Sequence, residues 1–128
     1  MILLDTCTLL WLASDQKRLS KTARERIRAS QGSLFVCAIT AFEIGIKHRK
    51  GALVLPLSPE RWYAEALEFH GLVEVALSGE IAVASTLLPA HHPDPCDRFI
   101  VATGAHHEMV VLTPDPMIHA YDEVESVW

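Results

Sequence analysis

The sequence has no apolar run approaching the roughly 20 residues of a membrane span. Lys17, Arg18 and Glu25 follow the first apolar segment too soon for that. It also lacks a basic leader: Met1-Ile2-Leu3-Leu4 runs straight into Asp5, so no secretory signal is expected. Cysteine is scarce. Cys7, Cys37 and Cys96 are odd in number, widely spaced and free of any CxxC pair. That argues against a disulfide framework and predicts free thiols in a reducing, cytoplasmic setting. Nor is there a basic tail, and the net charge is −5. Phosphates attract cations, so this charge alone argues mildly against nucleic-acid binding. A cluster of acids that holds metal changes the sum: two divalent ions bring +4, turning −5 into about −1.

What is present is a chain of 128 residues, 50% of them hydrophobic, without repeats, linkers or low-complexity tracts. That fits one compact domain over residues 1–128. Ile2-Leu3-Leu4, Leu34-Phe35-Val36-Cys37, Leu72 to Ala76 and Met109 to Thr113 read as strands, and Val124 to Trp128 as a last edge strand. Helices are predicted between them. Ser20, Ser58 and Ser78 stand as caps, and Gly32, Gly51 and Gly71 as stops. Ala23, Ile27, Trp62, Ala66, Leu67, Phe69, Ile81 and Leu87 are available for packing. Several strands are continuous apolar runs that alternate with helices. This is the pattern of a three-layer α/β/α fold around a mostly parallel sheet of four to five strands.

The chemistry concentrates in His91-His92-Pro93-Asp94-Pro95-Cys96-Asp97-Arg98-Phe99-Ile100-Val101-Ala102-Thr103. Asp94, Pro95 and Asp97 suit a helix start as cap, first residue and acidic first turn. Asp115, before Pro116, repeats the arrangement after a strand. Thr40 and Glu43 have capping-box spacing, with Lys47 one turn on as an ion-pair partner for Glu43. Asp5 ends the first strand just before a helix. In an open parallel sheet the strand-to-helix turns share one edge, so four segments can deliver acids to one place. Carboxylates gathered there cannot all stay ionised unless a cation sits among them. Oxygen ligands suit Mg²⁺ or Mn²⁺, which activate water for phosphodiester cleavage.

Five pieces of sequence resemble the PIN-domain proteins, in particular the VapC-like toxins of bacterial and archaeal toxin–antitoxin pairs. They are Leu3-Leu4-Asp5-Thr6 with Leu9-Leu10-Trp11-Leu12; Glu43-Ile44 with Ile46-Lys47; His92-Pro93-Asp94-Pro95-Cys96-Asp97-Arg98; Ile100-Val101-Ala102; and Leu112-Thr113-Pro114-Asp115. Their order and spacing span nearly the whole chain. The resemblance implies a PIN fold and a Mg²⁺- or Mn²⁺-dependent endoribonuclease using one or two ions. It also implies a cognate antitoxin as partner and a homodimer. Asp5, Glu43 and Asp97 match the family's three main acids, and Asp115 the more variable fourth. Thr6 matches a hydroxyl residue that often follows the first acid, and Thr113 lies beside the fourth. Asp94 belongs to the Asp-Pro-x-Asp-Arg form of one branch, as cap or as additional ligand. Phe42 and Cys96 depart from the expected Trp and Phe at positions that look like packing.

Other residues are read more plainly. Lys47, Arg49 and Lys50 are either a solvated helix end or a contact for RNA phosphates or the antitoxin. Arg98 is expected to pair with Asp97 structurally. His91, His92, Asp94 and Cys96 are too close in sequence for a usual tetrahedral zinc site. His119 is expected to cap a helix end or face water, and Trp11 and Leu12 to lie in the core. A haloacid-dehalogenase-like phosphatase would need a second acid where Cys7 stands. A receiver-like domain would need a late Lys, and none follows Leu112. A housekeeping PIN nuclease without an antitoxin and a non-catalytic acidic binding domain are the alternatives.

Overall fold

The apolar run that opens the chain becomes the middle of the sheet. The computed structural model describes residues 1–128. Its elements are β1 (Ile2–Leu4), α1 (Thr6–Ser14), α2 (Lys21–Ala29), β2 (Leu34–Cys37), α3 (Ile39–Arg49), α4 (Pro59–His70), β3 (Leu72–Val75), α5 (Gly79–Thr86), α6 (Pro95–His106), β4 (Val110–Leu112), α7 (Pro116–His119) and β5 (Ser126–Val127). A 3₁₀ turn, Gln16–Arg18, joins the first two helices. The strand order is β3-β2-β1-β4-β5 and every pairing is parallel. Leu3 therefore sits opposite Phe35 on one side and Val111 on the other.

Alternate residues of β1 feed two different cores. Ile2 and Leu4 pack with Leu34, Val36 and Leu112 under Leu9, Leu12, Ala23, Ile27, Ile44, Trp62 and Ala66. Leu3 faces the other way, with Cys37, Ile100, Val101, Val111, Ile118 and Tyr121. This is the period of two of a strand, covered by helices on both faces. Each fully buried Leu or Ile contributes roughly 1.5–3 kcal/mol of apolar burial. Helix α6 comes close to the sheet at Gly104, where a Cβ would meet Val111 Cγ2 at 2.8 Å and Val124 Cγ2 at 2.9 Å.

The expected elements are all found, with shifts of a residue or two at their ends. Two packing expectations fail: Phe69 is 84% exposed and Leu87 is 80% exposed. Each sits near its helix's C-terminal end, where the helix has run past the surface it covers. Leu12 is core, whereas Trp11 is half-buried, with the Arg18 guanidinium 4.5 Å above it and Trp128 at 5.7 Å. All three cysteines are free thiols. No helix is long and apolar enough to cross a membrane.

The chain runs outward from β1 to β2 and β3, then returns to place β4 on the other flank of β1. Strand order thus reverses at β1, and the crevice there, at the C-terminal edge, is where ligands bind in such sheets.

Candidate active site

Asp5 leaves β1 at that crevice and caps α1, its Oδ1 accepting the Thr8 N–H at 2.9 Å. Its Oδ2 accepts the Thr113 hydroxyl at 2.5 Å. The residue is 3% exposed, and burial pushes its carboxyl above the usual range against the pull of these hydrogen bonds. Thr113 also accepts the Asp115 N–H at 3.0 Å, so one hydroxyl ties the first acid to the last. Asp115 caps α7 through Oδ1, which accepts the Met117 N–H at 2.9 Å.

Asp94 caps α6 as its spacing predicts, Oδ1 accepting the Cys96 N–H at 2.8 Å. Pro95 supplies the first helical residue and Asp97 lies in the first turn. Burial, then the charges of Glu43 and Asp94, push Asp97 up to about 7. Asp5 adds to this and only His92 works against it.

Glu43 arrives differently, and the capping box is not formed. Ala38 already has helical dihedrals at the exit of β2, so α3 begins at Ile39 without a side-chain cap. Thr40 is then inside the helix, fully buried, and its hydroxyl meets Thr6 Oγ1 at 3.0 Å. Thr6 in turn donates to Glu43 Oε1 at 2.6 Å. Burial raises the Glu43 carboxyl, with Asp94 and Asp5 adding to it and Thr6 and Lys47 opposing. Lys47 forms no ion pair with Glu43; the molecule's ion pairs lie elsewhere. Its charge is nonetheless felt by Glu43, Cys7 and Cys96, which places it at the rim of the acids. Arg49 and Lys50 are exposed at the end of the same helix.

One further expectation is overturned. Arg98 does not pair with Asp97. Its guanidinium turns toward the loop before α6 and donates to the carbonyls of Ser85 (2.8 Å), Leu88 (2.9 Å) and Pro89 (2.9 Å), and to the Tyr121 hydroxyl (3.2 Å). Five N–H groups in a fork suit such a set of oxygens better than one carboxylate does. His119 is exposed at the end of α7, as expected, and both ring nitrogens are engaged, Nε2 with the Thr113 carbonyl at 2.7 Å and Nδ1 with Ser126 Oγ at 2.8 Å.

The residue that sequence reasoning undervalued is His92. Only 5% exposed, it lies between Asp115, with Nε2 to Oδ2 at 2.8 Å, and Asp97 at 3.1 Å. The four residues weighed for zinc do not converge. The ligand atoms that do, all within 4.8 Å of one another, belong to His92, Asp97 and Asp115. The available signal was a histidine between an exposed neighbour and two prolines, two residues before a helix cap. It did not reveal which acids the ring would reach.

The structure thus gathers Asp5 and Asp94 close enough to Glu43 and Asp97 to raise the carboxyl pKa values of those two, with Asp115 joined to them through Thr113 and His92. This all-carboxylate oxygen set fits a hard divalent cation, which would remove the repulsion.

The sequence profile of the PIN domain matches residues 2–124. The chain belongs to the PIN domain family. Solved structures with the same PIN fold include DNA-bound VapBC from Salmonella typhimurium, at 19% identity and a TM-score of 0.72 over 98% of this chain and 96% of that one. VapBC2 from Rickettsia felis, bound to a DNA fragment from its promoter, matches at 10% identity and 0.72 over 99% and 98%. FitAcB from Neisseria gonorrhoeae matches at 20% identity and 0.66 over 100% and 97%. No curated protein sequence is similar enough to count as a relative.

Proposed function

We propose that this PIN domain is a Mg²⁺- or Mn²⁺-dependent endoribonuclease that acts as the toxin of a toxin–antitoxin pair in the cytoplasm. The observation that carries the nuclease reading is the crowding of buried acids at the crevice, Asp5, Glu43 and Asp97. All three carboxyls are raised by burial first, and neighbouring acids, Asp5 among them, add to the shift of Glu43 and Asp97. A protein that only needed helix caps would have no reason to concentrate that charge at the crevice of its sheet.

Asp5, Glu43, Asp97 and Asp115 would hold one or two ions, with Asp94 serving mainly as cap. When bound, a divalent cation lowers the pKa of a coordinated water and offsets the charge of a phosphodiester. Thr113 and Thr6 hold the Asp5 and Glu43 carboxylates in fixed orientations through hydrogen bonds of 2.5 and 2.6 Å. Lys47 at the rim, with Arg49 and Lys50 beyond it, would take the RNA phosphates on either side of the scissile bond.

The toxin assignment rests on the VapC-like motifs and on the likeness of the fold to chains from VapBC and FitAB complexes. An antitoxin and a homodimer are the partners it entails. The test is direct: the purified chain, free of any partner, is incubated with RNA and Mn²⁺ or Mg²⁺. Internal cleavage that stops with a chelator is expected, and intact RNA would sink the reading. Co-purification with a small protein that abolishes this cleavage would separate the toxin from a nuclease that works alone.

A further inference from the structure

A histidine that meets two acids invites the role of metal ligand, but the His92 ring is committed otherwise. Its Nδ1 lies 3.1 Å from the backbone N of Asp94. That N–H can only donate, so Nδ1 must carry a lone pair, and the ring proton is on Nε2. Nε2 is the atom that faces Asp115 Oδ2 at 2.8 Å and Asp97 Oδ2 at 3.1 Å. Carboxylate oxygens accept, so this nitrogen donates to them and has no lone pair for a cation.

We infer that His92 is a positioning residue: its Nε2–H holds Asp97 at the start of α6 beside Asp115 at the start of α7, and the ring stays outside the ligand set. The inference rests on the nuclease reading for its purpose. Its geometry stands on the surrounding bonds. The His92 N–H donates to the Tyr121 hydroxyl at 3.0 Å, Arg98 donates to the same oxygen at 3.2 Å, and that hydroxyl donates to the Pro89 carbonyl at 2.9 Å. One donor and two lone pairs are all used, so Tyr121 admits no other arrangement. Arg98 closes the rest of the loop onto its carbonyls, and Pro93 and Pro95 fix φ on both sides of Asp94. Asp94 then acts twice. Its N–H orients the ring, and its carboxylate caps the helix that carries Asp97. The two partners differ in what they have left. Each Asp115 oxygen accepts one hydrogen bond, one from the Met117 N–H and the other from His92, and each keeps a second lone pair. Asp97 meets the ring through Oδ2 and keeps Oδ1 for a cation.

Two measurements test this. Nitrogen NMR of the unsubstituted, metal-free chain should show His92 as the Nε2–H tautomer, unchanged on adding Mg²⁺. A proton on Nδ1, or loss of the Nε2 proton with Mg²⁺, overturns the inference. Mn²⁺ titration of variants then asks what the ring supplies. His92→Leu should weaken Mn²⁺ binding about 10–100-fold, the usual effect of losing a partner of a ligand. His92→Gln, which can still donate, should recover most of it. Equal loss in both variants, or none in His92→Leu, overturns the role. If His92→Leu does not fold, the tautomer decides alone. An unsubstituted chain that binds no Mn²⁺ brings down the nuclease reading itself, whereas bound Mn²⁺ with the wrong tautomer brings down only His92.

Discussion

The two long helices that carry acids into the site begin in opposite ways. Helix α6 starts with a complete local device: a capping Asp94, a proline and an acid in the first turn. Helix α3 starts with no side-chain cap, and its acid is held from another helix by Thr6. The capping acids Asp5, Asp94 and Asp115 each commit one oxygen to their own helix, at 2.9, 2.8 and 2.9 Å. Glu43 and Asp97 commit none, and so keep more freedom to respond to a ligand. Capping therefore fixes the frame of the site, while the uncapped acids concentrate its chemistry.

The sharpest way to break this comparison is to neutralise one acid of each kind. Asp97→Asn and Asp5→Asn should each lower RNA cleavage by more than the roughly 100-fold that partners of ligands cost, read with a fluorescent RNA. Intact cleavage in either would remove that acid from the site. Next comes the clamp behind α6. Arg98→Leu strips donors from the carbonyls of Ser85, Leu88 and Pro89 and from Tyr121, so urea unfolding should show a loss of about 3 kcal/mol. Arg98→Lys, without the fork, should recover little of it.

On the α3 side, Thr6→Val keeps the shape and removes the hydroxyl that holds Glu43. Mn²⁺ affinity should fall about 10-fold while the fold survives. The titration of the acids gives a smaller effect with a definite sign. The Asp97 carboxyl moves from an ordinary 3.8 to about 7 in the fold, and Asp5 and Glu43 shift the same way. Between those values the folded chain binds more protons than the unfolded one, so metal-free stability falls as pH rises from about 4 to about 7. The melting temperature should be about 3 °C or more higher at pH 5 than at pH 8, the shift that roughly 1 kcal/mol gives at this length. Mn²⁺ at pH 8 should restore it; a flat profile would contradict the crowding of acids. The smallest effect belongs to Asp94→Ser, which keeps a cap and removes a charge. Stability should stay within about 0.5 kcal/mol, whereas Asp94→Ala should lose about 1 kcal/mol. Cleavage abolished by the Ser variant would make Asp94 a ligand rather than a cap.

How much of this could be read from the sequence follows from the range of each interaction. The strands were legible because buried parallel strands are plain apolar runs. Caps at Asp94, Asp115 and Ser20 were legible because a cap bonds within three residues. Thr6 and Glu43 are 37 residues apart and His92 and Asp115 are 23 apart, so nothing local reports either pair. The early start of α3 defeated the capping box by one turn of backbone at Ala38, a dihedral that residue type does not encode. Arg98 was misread for a different reason: its acceptors are carbonyls, which every residue has, so no pattern marks them. Phe69 and Leu87 show the limit of periodicity, since a helix face is apolar for packing only where something lies against it.

One contact has a consequence for the order of events in synthesis. The bond from Thr113 to Asp5 closes a separation of 108 residues, and β1 finds its second neighbour only when β4 exists. Contacts that distant form late, after most of the chain has collapsed. A nascent chain halted anywhere before Thr113 has Asp5 without its hydroxyl, a sheet without its crevice, and no Asp115. Asp5 therefore meets its hydroxyl partner, and the crevice gains its second wall, only once synthesis has passed Thr113.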